Sequence, residues 1–86
     1  MARQRGLHPG KVLLRDFLEA KSISQNALAR DIGVPPRRIN EIVLGKRGIS
    51  ADTAIRLAKH FGNSEQFWMQ LQVEFDLEEA RKALIS

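Results

Sequence analysis

The sequence contains no cysteine and only two histidines, and each scarcity removes a class of function. Without cysteine the chain forms no disulfide and no thiolate-held zinc site. The histidines, His8 and His60, lie in different stretches with no sequence-local acidic partner or nucleophile, so both are read as surface or capping residues. Glu78 and Glu79 are adjacent, and on a helix they point apart, so they make no paired-carboxylate site. No glycine-rich phosphate cradle and no metal-ligand spacing occurs. These absences exclude an enzyme reading and imply no cofactor and no metal. No apolar run approaches the roughly 20 residues of a membrane-spanning helix. The basic stretch Met1 to Arg5 is followed by no apolar segment of signal-peptide length. A soluble, cytoplasmic protein with no membrane partner is expected.

What is present is basic charge, unevenly placed. The net charge is +4, but residues 1–47 hold ten Lys or Arg against four Asp or Glu, whereas residues 48–86 hold four against six. Such asymmetry fits a phosphate-binding half and a protein-binding half, although a solvated basic face is the plain alternative. At 86 residues the chain makes one domain, 1–86, with a modest core that an oligomer would help.

The stretch Ser24 to Leu44 organises the rest. Leu28, Ala29 and Ile32 recur at helical spacing behind Ser24, a good cap, which predicts a helix over about Gln25 to Ile32. Gly33 suits the left-handed exit and Pro35 forces Val34 to be extended, so that helix stops. Pro36 suits the first position of a second helix, roughly Pro36 to Leu44, whose inward face is Ile39, Ile42 and Val43. Helices this short must pack on each other and on something else.

Around this pair the remaining elements are also helical. Residues 1–7 form a loose basic arm. A helix from about Pro9 to Ala20 carries a broad stripe of Leu13, Leu14, Phe17 and Leu18, with Lys21 to Ile23 as the connection. Gly45 to Gly48 is a loop, Ser50 caps a fourth helix with Ala54, Leu57, Ala58 and Phe61 inward, and Gly62 ends it. Ser64 opens a longer C-terminal helix, residues 64–85, with two stripes. Phe67, Trp68, Leu71 and Phe75 would close the core. Met69, Val73, Leu77, Ala80 and Leu84 need a partner, and a homodimer contact is the preferred reading. The alternative is a bend near Asp76 that buries both stripes within one chain. The expected fold class is all-α, five helices.

Counted from Gln25 as position 1, apolar residues fall at positions 4, 8, 10, 15 and 18, with Ala29 at 5 and Gly33 at 9. This pattern resembles the helix-turn-helix of phage-repressor-like (XRE/Cro) proteins, in which the second helix enters the major groove. Over about Gly6 to Leu77, the chain resembles more narrowly the HigA-type antitoxins. The residues that carry this are LHPG near the start, the Pro35-Pro36-Arg37-Arg38-Ile39-Asn40 entry to the second helix, and Phe67-Trp68. The resemblance implies a homodimer that binds a palindromic operator on double-stranded DNA in its own promoter. It also implies a partner, a small RNA-cleaving toxin encoded beside it, which the antitoxin neutralises.

On that footing Arg37 and Arg38 divide a bidentate guanine contact and a phosphate contact between them, in an order left open here. Asn40 would pair with adenine. Glu41 would accept from cytosine or pair with Arg37 one turn away. Gln25, Lys46 and Arg47 would hold the DNA backbone. Pro35 stands where the wider pattern has a Ser or Thr cap, and Pro36 removes an N–H that could meet phosphate, so side chains carry more of the anchoring. Other readings are a repressor without a toxin and, from a different class, a protein-interaction module with an incidental basic face. RNA is disfavoured because the aromatic residues are committed to packing.

Overall fold

The computed structural model describes residues 7–85, so most of the expected basic arm lies outside the described residues. His8 is extended at the entrance to the first helix, and its Nδ1 accepts a hydrogen bond from the Gly10 N–H at 2.9 Å. The imidazole thus fills the capping role usually taken by Ser, Asp or Asn. Helix α1 begins as Pro9–Val12 and runs on as a π-helix over Leu13–Glu19.

That winding corrects the α-helix expected through Ala20. At α-helical pitch Leu13 and Leu18 stand about 140° apart. Both are buried, with Leu14 and Phe17 packed at the margin of the core. Hydrogen bonds from i to i+5 widen the turn and gather residues five apart towards one face. Ile23 continues the pattern, its N–H bonding to the Leu18 carbonyl at 2.8 Å.

Helix α2, Gln25–Ile32, is capped by Ser24 Oγ, which accepts from the Ala27 N–H at 3.0 Å. Gly33 leaves it at φ 76°, a backbone conformation that a Cβ would strain, and the Val34 N–H turns back to the Ala29 carbonyl at 3.0 Å. Helix α3, Pro36–Val43, follows an extended Pro35 that offers no side-chain cap. It stops one residue before the expected Leu44, whose side chain lies outside the core. The seam is buried as its spacing required: Leu28, Ala29, Ile32 and Val34 against Ile39 and Ile42.

Helix α4, Ala51–Phe61, starts at a capping Ser50, whose Oγ accepts from the Thr53 N–H at 3.3 Å. It buries Ala54, Leu57 and Ala58 as expected, together with Thr53, while Phe61 is half-buried. Arg56 on its outer side reaches the Ile32 carbonyl with Nη1 at 2.8 Å and satisfies an orphan acceptor at the end of α2. Helix α5, Glu65–Ile85, is continuous through Asp76, so the bend that would have buried both of its stripes is not formed. Fully buried Trp68 anchors α5 to the core, and its Nε1 donates to Asn63 Oδ1 at 2.9 Å. Phe67 corrects the expected inner stripe: it is exposed at the edge of the aromatic cluster, its ring 6.0 Å from Phe17 and 5.0 Å from Trp68.

One contact fixes α3 that the apolar pattern did not foretell. Gly10 is buried against the α3 backbone, and a Cβ there would overlap the Ile42 carbonyl. The two helices therefore meet main chain to main chain, with Ile42 turned into the core and the opposite face of α3 left outside. Among the described residues the architecture is all-α, with five helices and no strand.

Candidate nucleic-acid interface

With Ile39 and Ile42 inward, a rise of 100° per residue puts Arg37 at the middle of the outer face of α3, with Asn40 and Glu41 on either side. The Arg37 side chain is 86% exposed. Arg38 lies about 100° further round, half-buried on the flank. The fold thus separates two adjacent arginines that the sequence left equivalent.

The outer face is organised by two hydrogen-bonded sets. Asn40 Nδ2 donates to Gln25 Oε1 at 3.2 Å, joining the start of α2 to the middle of α3. Glu41 accepts from Arg37 Nε at 3.2 Å and from Arg47 Nε at 2.9 Å. Of the two possibilities for Glu41, the structure forms the ion pair with Arg37 and adds Arg47 to it. The Arg47 hydrogen bond is the main reason that the Glu41 carboxyl titrates below its ordinary range; partial burial opposes the shift, and the charges of Arg47 and Arg37 add to it. Both arginines engage Glu41 through Nε, so these two contacts do not use their terminal nitrogens.

The loop after α3 brings Arg47 back to Glu41. Gly45, at φ 79°, lets the Lys46 N–H bond back to the Glu41 carbonyl at 2.8 Å, while its own N–H bonds to the Ile42 carbonyl at 3.0 Å. Lys46 is exposed beside Arg47. At the far end of this loop the Ile49 N–H donates to Gln72 Oε1 of α5 at 2.7 Å. Of the expected DNA-facing residues, the fold brings together Gln25 with Asn40, and Arg37 with Glu41 and Arg47, with Lys46 adjoining; Arg38 stands apart. Sequence reading missed Gln72, because it lies 23 residues from its partner and obeys no local pattern.

The second stripe of α5 remains largely uncovered. Val73, Leu77, Ala80 and Leu84 are exposed, as is Ile85, whereas Met69 is half-buried and packs on the core of its own chain. Among the described residues no group of His, Asp and Glu is placed to hold a metal ion. No described helix is long and apolar enough to cross a membrane.

This arrangement of a capped α2, a left-handed turn and an outward-charged α3 is matched by the helix-turn-helix family model over residues 14–68. The chain belongs to the helix-turn-helix family. In three dimensions it is similar to the Pseudomonas aeruginosa antitoxin HigA solved with the higBA promoter, with a TM-score of 0.89 and 49% identity, covering 92% of this chain and 86% of that one. It is 33% identical to antitoxin HigA-1 of Vibrio cholerae over 79 residues, 92% of this chain and 74% of the relative. It is also 45% identical to virulence-associated protein I of Dichelobacter nodosus over 76 residues, 88% of this chain and 70% of the relative. Within the helix-turn-helix proteins, the chain belongs to the HigA antitoxins.

Proposed function

We propose that the chain is a sequence-specific DNA-binding antitoxin, a cytoplasmic single-domain protein that represses its own operon as a dimer and neutralises a small RNA-cleaving toxin encoded beside it. The observation that carries the DNA reading is the outer face of α3, where Arg37, Asn40 and Glu41 project from a helix whose apolar side is buried. The relative solved with its promoter supports the same assignment.

In this reading α3 enters the major groove. Arg37, central and exposed, reads a guanine edge bidentately, and Arg38 on the flank meets phosphate. Asn40 reads adenine, released from or steadied by Gln25, which also faces the backbone. Glu41 orients Arg37 and Arg47 and accepts from no base. Lys46 and Arg47 hold phosphate and carry no sequence information. Val73, Leu77, Ala80 and Leu84, with the outer part of Met69, pair with a second copy of the chain. The dimer presents two α3 helices about 34 Å apart, one turn of a palindromic operator.

The test is binding of the purified protein to the DNA immediately upstream of its gene, titrated with salt, beside a scrambled duplex, with the mass in solution recorded. The expected result is saturable binding as a dimer, much tighter than to the scramble and steeply salt-dependent. Equal, weak binding to both duplexes would refute it. The toxin assignment is tested by co-purification with the product of the adjacent reading frame and by loss of that product's RNA cleavage.

A further inference from the structure

We propose that Gln72, on α5 and away from the DNA-facing side of α3, is a positioning residue that sets the phosphate-contacting loop carrying Lys46 and Arg47. The inference rests on the DNA-binding reading above.

Two independent observations converge on this side chain. Gln72 Oε1 accepts the Ile49 N–H at 2.7 Å, while Gln72 Nε2 donates to Asp76 Oδ1 at 2.9 Å. Asp76 therefore fixes which end of the amide faces the loop. The second observation is Gly48. It has no positive φ, so its backbone does not demand glycine. A Cβ there would instead stand 3.0 Å from the amide carbon, nitrogen and oxygen of Gln72. Gly48 leaves room for the Gln72 amide to lie against the loop.

The loop is thus held at both ends. At its start the turn after α3 ties Lys46 to the Glu41 carbonyl at 2.8 Å. At its end Gln72 ties Ile49 to α5, the helix whose exposed apolar face is assigned to a second copy. The backbone of Lys46 makes the first tie, and Arg47 lies between it and the second. Gln72 is thus the side chain through which α5 holds the end of the loop.

The experiment compares wild type with Gln72→Met, which keeps length and loses the hydrogen bonds, and with Gly48→Ala, which displaces the amide while leaving Gln72 in place. Each is titrated with operator and scrambled duplex across a salt series, with mass and thermal unfolding recorded. The expected result is a several-fold loss of affinity, equal on both duplexes, with the salt slope flattened by about one unit because one phosphate contact is lost. Wild-type mass and operator-to-scramble ratio should be retained. Lowered thermal stability with unchanged affinities and slope would overturn the proposal, making Gln72 a brace of the fold alone. A loss confined to the operator would overturn it too, because base readout would then be affected. If wild type itself binds both duplexes alike, the DNA reading fails and this role fails with it. If wild type discriminates and both variants bind as it does, the positioning role alone fails.

Discussion

Helices α3 and α5 handle apolar residues in opposite ways. The 8 residues of α3 carry one tight stripe, with Ile39 and Ile42 buried and Val43 half-buried against the core, so the other side is free to be polar. The 21 residues of α5 bury Trp68 and Leu71 near their start and then continue past the body of the protein with Leu77, Leu84 and Ile85 uncovered. A short helix whose apolar side is fully used offers chemistry on its outer face. A long helix with apolar residues on more than one side offers a surface to another protein. The difference supports the proposal of nucleic acid on α3 and a second chain on α5, with the loop between Gly45 and Ile49 joining the two.

The strongest way to break the comparison is to move α3 without touching its outer face. Gly10→Ala drives a Cβ into the Ile42 carbonyl. Backbone pressed on backbone relaxes poorly, so a loss of about 3 kcal/mol is expected, at the upper end of overpacking effects. Thermal and denaturant unfolding check it; wild-type stability would mean that α1 does not fix α3. Next comes the outer face itself. Arg37→Ala should weaken operator binding by about 1–3 kcal/mol and relax specificity at one base pair, whereas Lys46→Ala should weaken all duplexes alike. A uniform loss for Arg37→Ala across operator variants would remove it from base reading.

On the α5 side, Leu77→Glu places a charge in the proposed contact between copies. It should halve the mass in solution while leaving each chain folded, since Leu77 is 47% exposed in the single chain. An unchanged mass would return α5 to the role of a plain surface helix.

A smaller effect tests where α1 meets α5. Burial lowers the pKa of His8, Lys11 lowers it further and Asp76 opposes, while the ring packs edge-on against Phe75 at 4.9 Å. Its Nδ1 can accept from Gly10 only when the ring is neutral. The folded chain binds a proton less readily than the unfolded chain, so this contribution is full above the ordinary histidine value of about 6.5 and fades as pH falls through the lower folded value. A loss of about 1 kcal/mol, the worth of a helix cap, is expected over that interval. His8→Asn keeps a cap and should flatten the pH dependence; an equally steep profile would place its origin elsewhere. The smallest change is Ser22→Gly. Ser22 holds φ 56° after α1, and glycine should relieve that strain for a gain of about 1 kcal/mol or less in thermal unfolding.

The paired helices were legible because their signals are local. Ser24, Gly33, Pro35 and Pro36 punctuate the chain within one turn of the structures they start or stop, and the period of Leu28, Ile32, Ile39 and Ile42 names the buried face. The candidate site was half legible. The reading put Arg37, Arg38, Asn40 and Glu41 all outside and allowed the Arg37 pair, but it did not rank Arg37 against Arg38, which is half-buried. Nor could it foresee Arg47 joining Glu41, because that contact depends on how the chain turns after Leu44. The winding of α1 escaped too, since a broad apolar stripe fits an α-helix until the packing requires both Leu13 and Leu18 inside.

Sequence alone determined where the helices lie, the buried seam and the charge that travels with it, because capping, proline geometry and side-chain period act over three or four residues. The tertiary structure decided what depends on close approach between separate segments. It laid Gly10 against Ile42, brought Arg47 to Glu41, tied Gln72 to Ile49, and left the far half of α5 bare. None of these is written in a local pattern, since each depends on how those segments come to lie against one another.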